Sequence, residues 1–136
     1  MTDAALVAKR LALIETCVAD LRRDARLDRL RLDVREQRFI EHTLQIAIQA
    51  ALDVASHVVS DERLGEPATN RDLFELLAGH EWIAPALADT LRRMAGFRNV
   101  LVHGYDDVDL RVVEDIVANR LGDLMAFVDA VRARLG

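Results

Sequence analysis

The sequence FRNVLVHGYDDVD, residues 97–109, gathers side chains that can bind phosphate and carry protons more tightly than any other part of the chain. Arg98 and Asn99 are adjacent, His103 follows after an apolar run, and Tyr105 lies two residues further on. A guanidinium binds phosphate, an imidazole exchanges protons near neutral pH, and a phenol forms hydrogen bonds. The remaining sequence has the patterns of a helical scaffold, so the functional interpretation depends on this stretch.

Length and composition favour one all-α domain. The chain has 136 residues, which is about one domain's worth, and we expect residues 1–136 to form a single helical domain. Aromatic residues make up 4% and there are two prolines, whereas Leu, Ala, Val, Arg, Asp and Glu dominate. Such a composition favours long helices over sheet. A hydrophobic content of 51% beside 30% charged residues argues against disorder.

Charge and cysteine content limit the classes of function. A net charge of -5 argues against broad electrostatic affinity for nucleic acid, although it leaves room for a local basic pocket. The single cysteine, Cys17, has no partner for an internal disulfide and forms no thiolate metal site alone, so we expect a core residue. The sequence has no apolar run long enough to cross a membrane and no signal peptide. We therefore expect a soluble, cytoplasmic protein.

Apolar residues recur at helical spacing in five segments. The predicted helices are residues 3–25, residues 34–60, residues 71–78, a helix that begins at Pro85 and runs into the motif, and residues 110–134. Asp3 and Asp33 are predicted N-caps, and Thr69 with Asp72 resembles a capping box. No strand pattern is present. The expected architecture is an up-and-down bundle of four long helices and one short helix.

Two charged segments each allow two interpretations. Residues 22–35 hold six arginines interleaved with Asp24, Asp28 and Asp33, which predicts an ion-paired connector and leaves a phosphate-binding strip as the alternative. Asp106, Asp107 and Asp109 follow the motif. A divalent cation site is the alternative there, but capping of the next helix explains aspartates before a helix more simply, so we predict no metal site.

Helical geometry constrains how the motif residues meet. If the motif is helical, Asn99 and His103 are four residues apart and share one face, whereas Arg98 and Tyr105 share another. Arg98 and His103 then lie about 140° apart around the axis. They can act on one substrate through a kink, through the reach of the arginine, or through a second copy of the chain. A two-fold dimer would place both copies of the motif face to face.

Such a composite cleft suits cleavage of RNA without a metal. The ribose 2′-hydroxyl must lose a proton, the leaving 5′-oxygen must gain one, and the charge on the phosphate must be stabilised. His103 would carry the protons and Arg98 would bind the phosphate. Asn99 would orient the imidazole or contact the phosphate, and Tyr105 would bind substrate or accept a modification. The same residue types also fit a structural role, with Arg98 paired to an aspartate and His103 buried at a helix end.

The motif resembles that of a known family. Arg98, Asn99, His103 and Tyr105 match the Arg-x4-6-His motif of HEPN-domain ribonucleases, and more closely the Arg-Asn-x3-His-x-Tyr signature of HepT-like toxins. Similar family-like sequence covers essentially the whole chain. It includes residues 41–57, residues 74–77, the lead-in at residues 94–97 and the exit at Val108 and Asp109.

This resemblance implies an all-helical homodimer that acts as a metal-independent, cofactor-free endoribonuclease. It implies the toxin of a type II or type VII-like toxin–antitoxin system, whose partner is an antitoxin of the minimal nucleotidyltransferase (MNT) type. Arg98 and His103 carry over as catalytic residues and Asn99 as a supporting residue. Tyr105 corresponds to the tyrosine that such an antitoxin can adenylylate.

Two other functions fit the same residues. In one, the chain is a non-catalytic helical module that docks a nucleotidyltransferase, with Tyr105 as its contact or substrate. In the other, the motif cleft binds a nucleotide.

Overall fold

The computed structural model describes residues 3–103 and 108–135, and within these ranges every regular element is helical. The elements are α1 (Ala4–Asp24), α2 (Val34–Asp61), α3 (Asp72–Gly79), α4 (Pro85–His103), α5 (Leu110–Asp115) and α6 (Leu121–Leu135), with a 3-10 turn at Leu27–Arg29 and a π-helical turn at Ile116–Arg120. The all-α prediction is confirmed. The first three predicted helices end within one residue of the observed ones.

Aspartates begin the two longest helices, as predicted. Asp3 Oδ1 accepts hydrogen bonds from the amides of Ala5 and Leu6 at 3.1 and 3.2 Å. Asp33 Oδ1 accepts one from the amide of Arg35 at 2.9 Å. These amides have no partner inside their own helix, so the side-chain oxygen replaces the water that would otherwise bind them.

The capping box predicted before α3 is only half formed. Asp72 Oδ2 accepts the amide of Thr69 at 3.1 Å, as the motif requires. Arg71, and not Thr69, is the residue that precedes the helix, and its side chain does not cap it. The prediction of Thr69 as the cap was wrong because Thr69 and Asn70 form a tight turn. Their carbonyls already accept the amides of Asp72 and Leu73.

Helix α2 is the centre of the bundle and packs against α1, α3, α4 and α6. Four alanines, Ala47, Ala50, Ala51 and Ala55, are buried along it and allow the neighbouring helices to approach closely. An aromatic pair fills the core between α3 and α6. The rings of Phe74 and Phe127 meet edge to face, with centroids 5.9 Å apart and planes at 85°.

The ends of the helices define two poles of the bundle. Ala4, Leu64, Trp82 and Leu135 line one cavity, so α1 and α4 begin where α2 and α6 end. Trp82 is buried at this pole beneath the guanidinium of Arg134, whose carbon lies 4.9 Å from the ring centroid. The tryptophan therefore closes this pole. The motif, at the other end of α4, lies at the opposite pole.

The last helix was predicted to be continuous, and this prediction was wrong in one turn. Five residues, Ile116–Arg120, form a π-helical turn between α5 and α6. Ile116 and Leu121 are both buried but are five residues apart, a spacing that turns an α-helical side chain away from the core. A π turn closes over one more residue and returns Leu121 to the buried face.

The arginine-rich connector between α1 and α2 forms ion pairs, as predicted. Arg23 pairs with Asp20 and Asp24 at 2.9 Å, and Arg31 pairs with Glu114 of α5. Among the described residues, the exposed Arg29 makes no ion pair, so the interpretation as a phosphate-binding strip stays a prediction. Within that same part of the chain, none of the helices combines the length and apolar character that spanning a bilayer requires.

Candidate active site

Helix α4 positions the motif with alternating buried and exposed side chains. Phe97 and Leu101 are buried and fix the last turns of α4 against the core. Arg98 is half-buried, whereas Asn99 and His103 are exposed. The apolar residues of the motif therefore act as an anchor, and its polar residues reach the surface at the motif pole. Tyr105, together with Asp106 and Asp107, lies outside the described residues.

Arg98 is held by the amide side chain next to it. Its Nη1 donates a hydrogen bond to Asn99 Oδ1 at 3.2 Å. Its Nε is covered by protein and meets no acceptor in the described residues, and no carboxylate in those residues pairs with the guanidinium. A guanidinium without a carboxylate partner keeps its positive charge available, which suits the binding of an anionic ligand. Asn99 thus contacts the guanidinium of Arg98, and its predicted contact with the imidazole or the phosphate stays a prediction.

His103 is the last described residue of α4, and it is exposed. The alternative in which His103 is buried at a helix end is therefore wrong. With 3.6 residues per turn, the five-residue step from Arg98 corresponds to about 140° around the helix and about 7.5 Å along it. Arg98 and Asn99 meet within one chain, but helical geometry directs His103 and Arg98 to different sides of α4.

Two valines, one within the motif and one just after it, are partly exposed. Val100 of α4 and Val112 of α5 keep 38% and 37% of their surface exposed. Val100 lies three residues from His103, so these two residues share a face of α4. Beside this face a groove of about 140 Å³ runs between α4 and the π turn, with Phe97 and Val112 in its wall. His103 therefore emerges from a partly apolar surface.

Asp109 acts as a helix cap directly after the motif. Its Oδ1 accepts the amide of Arg111 at 2.9 Å, and its Oδ2 lies 3.1 Å from Nη2 of the same residue. Hydrogen bonds from the Arg111 side chain and amide hold the pKa of Asp109 below its usual value. This confirms capping as the role of the third aspartate. Within residues 3–103 and 108–135, no group of three or more histidine, cysteine or acidic side chains is placed to hold a metal ion.

Cys17 lies away from this chemistry, in the core, as predicted. Burial, and to a smaller extent the charge of Asp20, raises the pKa of its thiol. A thiol that resists deprotonation is a poor nucleophile, so Cys17 has a packing role.

An all-helical bundle whose α4 carries Arg98-x4-His103 near its end has the architecture and motif of HEPN-domain ribonucleases. The family described as Ribonuclease HepT-like matches residues 9–131, which is most of the chain. The chain therefore belongs to the HepT-like family, and the resemblance seen in the sequence is confirmed.

Named relatives agree with this assignment. The chain is 30% identical over 131 residues to the mRNA nuclease HepT of Shewanella oneidensis, with 94% of this chain and 97% of that protein covered. It is 32% identical over 109 residues to the tRNA nuclease HepT of Aphanizomenon flos-aquae, covering 79% and 74% of the two chains. Among solved structures it is similar to the tri-AMPylated Shewanella oneidensis HEPN toxin in complex with an MNT antitoxin. That match has a TM-score of 0.88 and 30% identity, and covers 98% of this chain and 99% of that one.

Proposed function

We propose that this chain is a metal-independent endoribonuclease and the toxin of a toxin–antitoxin pair, of type II or a type VII-like kind. Membership of the HepT-like family supports this function, as do relatives named as nucleases of mRNA and tRNA. The observation that carries the proposal is the state of Arg98. It is a half-buried cation that is held by the neutral Asn99 side chain and has no carboxylate partner among the described residues.

The proposed reaction divides the chemistry between Arg98 and His103. One imidazole takes the proton of the ribose 2′-hydroxyl, and O2′ attacks the phosphorus. The bond from phosphorus to O5′ breaks, and the same imidazole, now protonated, delivers that proton to O5′. The products are a 2′,3′-cyclic phosphate and a free 5′-hydroxyl. Arg98 binds the phosphate oxygens and offsets the charge that develops there, while Asn99 holds the guanidinium in place.

A homodimer would supply the arginine and the imidazole of each reaction from different chains. Val100 and Val112 offer an exposed apolar surface beside His103, which favours contact with a second copy of the chain. Two-fold symmetry would bring both motifs to one cleft. It would also place Arg98 of one protomer near His103 of its partner. The two residues could then act on one substrate, although they lie on different sides of α4 within a single chain.

We further propose that an MNT-type nucleotidyltransferase antitoxin silences the enzyme by adenylylating Tyr105. The tyrosine oxygen would attack the α-phosphorus of ATP, pyrophosphate would leave, and the phenolic proton would pass to solvent. The added bulk and negative charge beside His103 would repel RNA. Tyr105 is the single tyrosine. Incubation with the antitoxin and ATP should therefore add AMP to the wild-type mass, and the same gain in Tyr105→Phe would place the modification elsewhere.

The cellular setting follows from these partners. RNA and an ATP-consuming antitoxin place the toxin in the cytoplasm, and we propose that residues 1–136 act there as one domain.

RNA cleavage by purified variants tests the proposed function. Arg98→Ala and His103→Ala should each lower kcat/KM for RNA by at least about 100-fold, because each removes a group that acts in the transition state. His42→Ala is the matched control, since His42 is also an exposed helical histidine but lies outside the motif. EDTA should leave wild-type activity intact.

Three results would contradict the proposal. Full cleavage by both motif variants would remove the assigned chemistry. Loss of activity in EDTA would point to metal catalysis. Binding of the antitoxin without any cleavage of RNA would favour the non-catalytic interaction module.

A further inference from the structure

A second cavity at the motif extends away from Arg98 and His103. It has a volume of about 360 Å³ and lies between α2, the turn before α3, and α4. Its lining includes Leu52, Thr69, Asn70, Arg71, Ala95 and Gly96. Asn99 also faces this cavity, and the same Asn99 side chain accepts the hydrogen bond from Arg98. The cavity is therefore continuous with the motif.

Among the described residues that line this cavity, Arg71 is the only charged one. Its side chain extends across α4 at Gly96. A Cβ added at Gly96 would lie 3.6 Å from Arg71 Nη1 and 3.8 Å from its Cδ. Gly96 and Asn99 are three residues apart, so they lie on one face of α4. The Arg71 guanidinium thus lies about one turn of α4 from the side chain that holds Arg98.

The acidic residues nearest to Arg71 in the sequence are engaged elsewhere. Asp72 Oδ2 accepts the amides of Ala68 and Thr69, both at 3.1 Å. Glu75 pairs with Arg92 at 2.8 Å. Within residues 3–103 and 108–135, Arg71 makes no ion pair, and it is exposed. A free cation at the edge of a polar cavity is suited to binding an anionic group.

We propose that Arg71 is a second phosphate-binding residue for RNA. It holds a phosphodiester adjacent to the one that is cut, and the cavity between Arg71 and Asn99 receives the nucleotide that joins these phosphates. The polar groups of Asn70 and Thr69 offer hydrogen bonds to that nucleotide, and Gly96 leaves the space that it occupies. This inference rests on the proposed ribonuclease function and adds a binding residue outside the motif.

The proposal predicts a defect in binding and not in chemistry. Arg71→Ala should raise KM for RNA about tenfold, the loss expected for one charged hydrogen bond, and leave kcat nearly unchanged. Arg71→Lys should recover part of this loss, since it keeps the charge. Lys9→Ala is the charge-matched control, because Lys9 is exposed on α1, which packs on α2 and α6.

Salt dependence and the cavity itself provide independent measurements. In a His103→Ala background that leaves RNA uncut, Arg71→Ala should reduce the slope of log affinity against log salt by about 0.7, the value for one phosphate contact of a single strand. Gly96→Leu keeps both arginines but fills the cavity, and it should also weaken RNA binding.

Different results would overturn the inference about Arg71 and the proposed ribonuclease function. If the wild type cleaves RNA while Arg71→Ala matches it in KM and salt slope, the inference about Arg71 is overturned and the proposed function stands. If the wild type neither cleaves nor binds RNA, both are overturned. A fall in kcat with unchanged KM in Arg71→Ala would also contradict the assignment, since it would indicate a role in the chemical step.

Discussion

Among single residues, Asn99 links the parts of the candidate site. Its side chain accepts a hydrogen bond from Arg98 and also faces the cavity beside Arg71. An amide can hold a guanidinium without neutralising it, whereas a carboxylate in the same place would offset the positive charge that RNA needs. The chemical identity of this residue therefore sets the charge that Arg98 presents.

Asn99→Asp tests this role with almost no change in shape. The new carboxylate would lie about where Oδ1 now lies, 3.2 Å from Arg98 Nη1, and would pair with it. We expect kcat/KM for RNA to fall by about 100-fold, comparable to the loss of one transition-state donor. Asn99→Ala should lose less, because Arg98 keeps its charge. Asn99→Asp activity equal to that of the wild type, in a folded protein, would show that the amide does not matter.

The sequence predicted the candidate site residues, but it did not predict how the side chains of Arg98 and Asn99 meet. Helical spacing predicts that Arg98 and His103 lie on different sides of α4. This agrees with their burial, since Arg98 is half-buried and His103 is exposed. The contact between Arg98 and Asn99 depends on rotamers, which spacing does not determine. Arg71 was missed because it lies 27 residues before Arg98 and approaches α4 only through the turn at Thr69 and Asn70.

Among elements, most helix boundaries were predictable because local signals coincide there. Asp3 and Asp33 cap helices whose apolar residues recur at spacings of three and four. The π turn was not predicted, although Ile116 and Leu121 at a spacing of five gave a signal for it. That spacing conflicts with a regular α-helix, and burial of both side chains in the core decides the local geometry.

Two glycines offer a matched test of these helical and turn geometries. Gly122 lies in α6, and a Cβ there would meet no atom within 4 Å. Gly122→Ala should stabilise the fold by about 0.5–1 kcal/mol, because alanine loses less conformational entropy in a helix. Gly65→Ala should destabilise it, since Gly65 has a φ of +140° and its Cβ would lie 2.8 Å from Leu76 Cδ2.

Thermal or urea unfolding of the two variants gives both changes in the free energy of unfolding. A lower midpoint for Gly122→Ala would contradict the placement of that residue in an open helical position. A midpoint for Gly65→Ala at or above that of the wild type would contradict the turn at the end of α2.

For the whole molecule, the bundle brings the motif and the arginine-rich connector to one pole. Arg31 pairs with Glu114 of α5, which follows the motif in the chain, so the connector and the motif are neighbours. The sequence predicted the connector and the motif separately. Their proximity depends on the up-and-down packing of α1, α2 and α4, which only tertiary structure defines.

We propose that Arg98 of one protomer and His103 of its partner act on the same phosphodiester. The angle of about 140° between these residues on α4 and the exposed side chains of Val100 and Val112 support this proposal. Mixed dimers test it directly. Arg98→Ala and His103→Ala chains carrying different tags are co-expressed, and the dimer that holds one of each is purified.

RNA cleavage by the mixed dimer is then compared with cleavage by each parent. The mixed dimer retains one intact pairing of arginine and histidine across the interface, so it should recover about half of the wild-type rate while both parents stay inactive. A mixed dimer as inactive as its parents would contradict a site shared between protomers in this way.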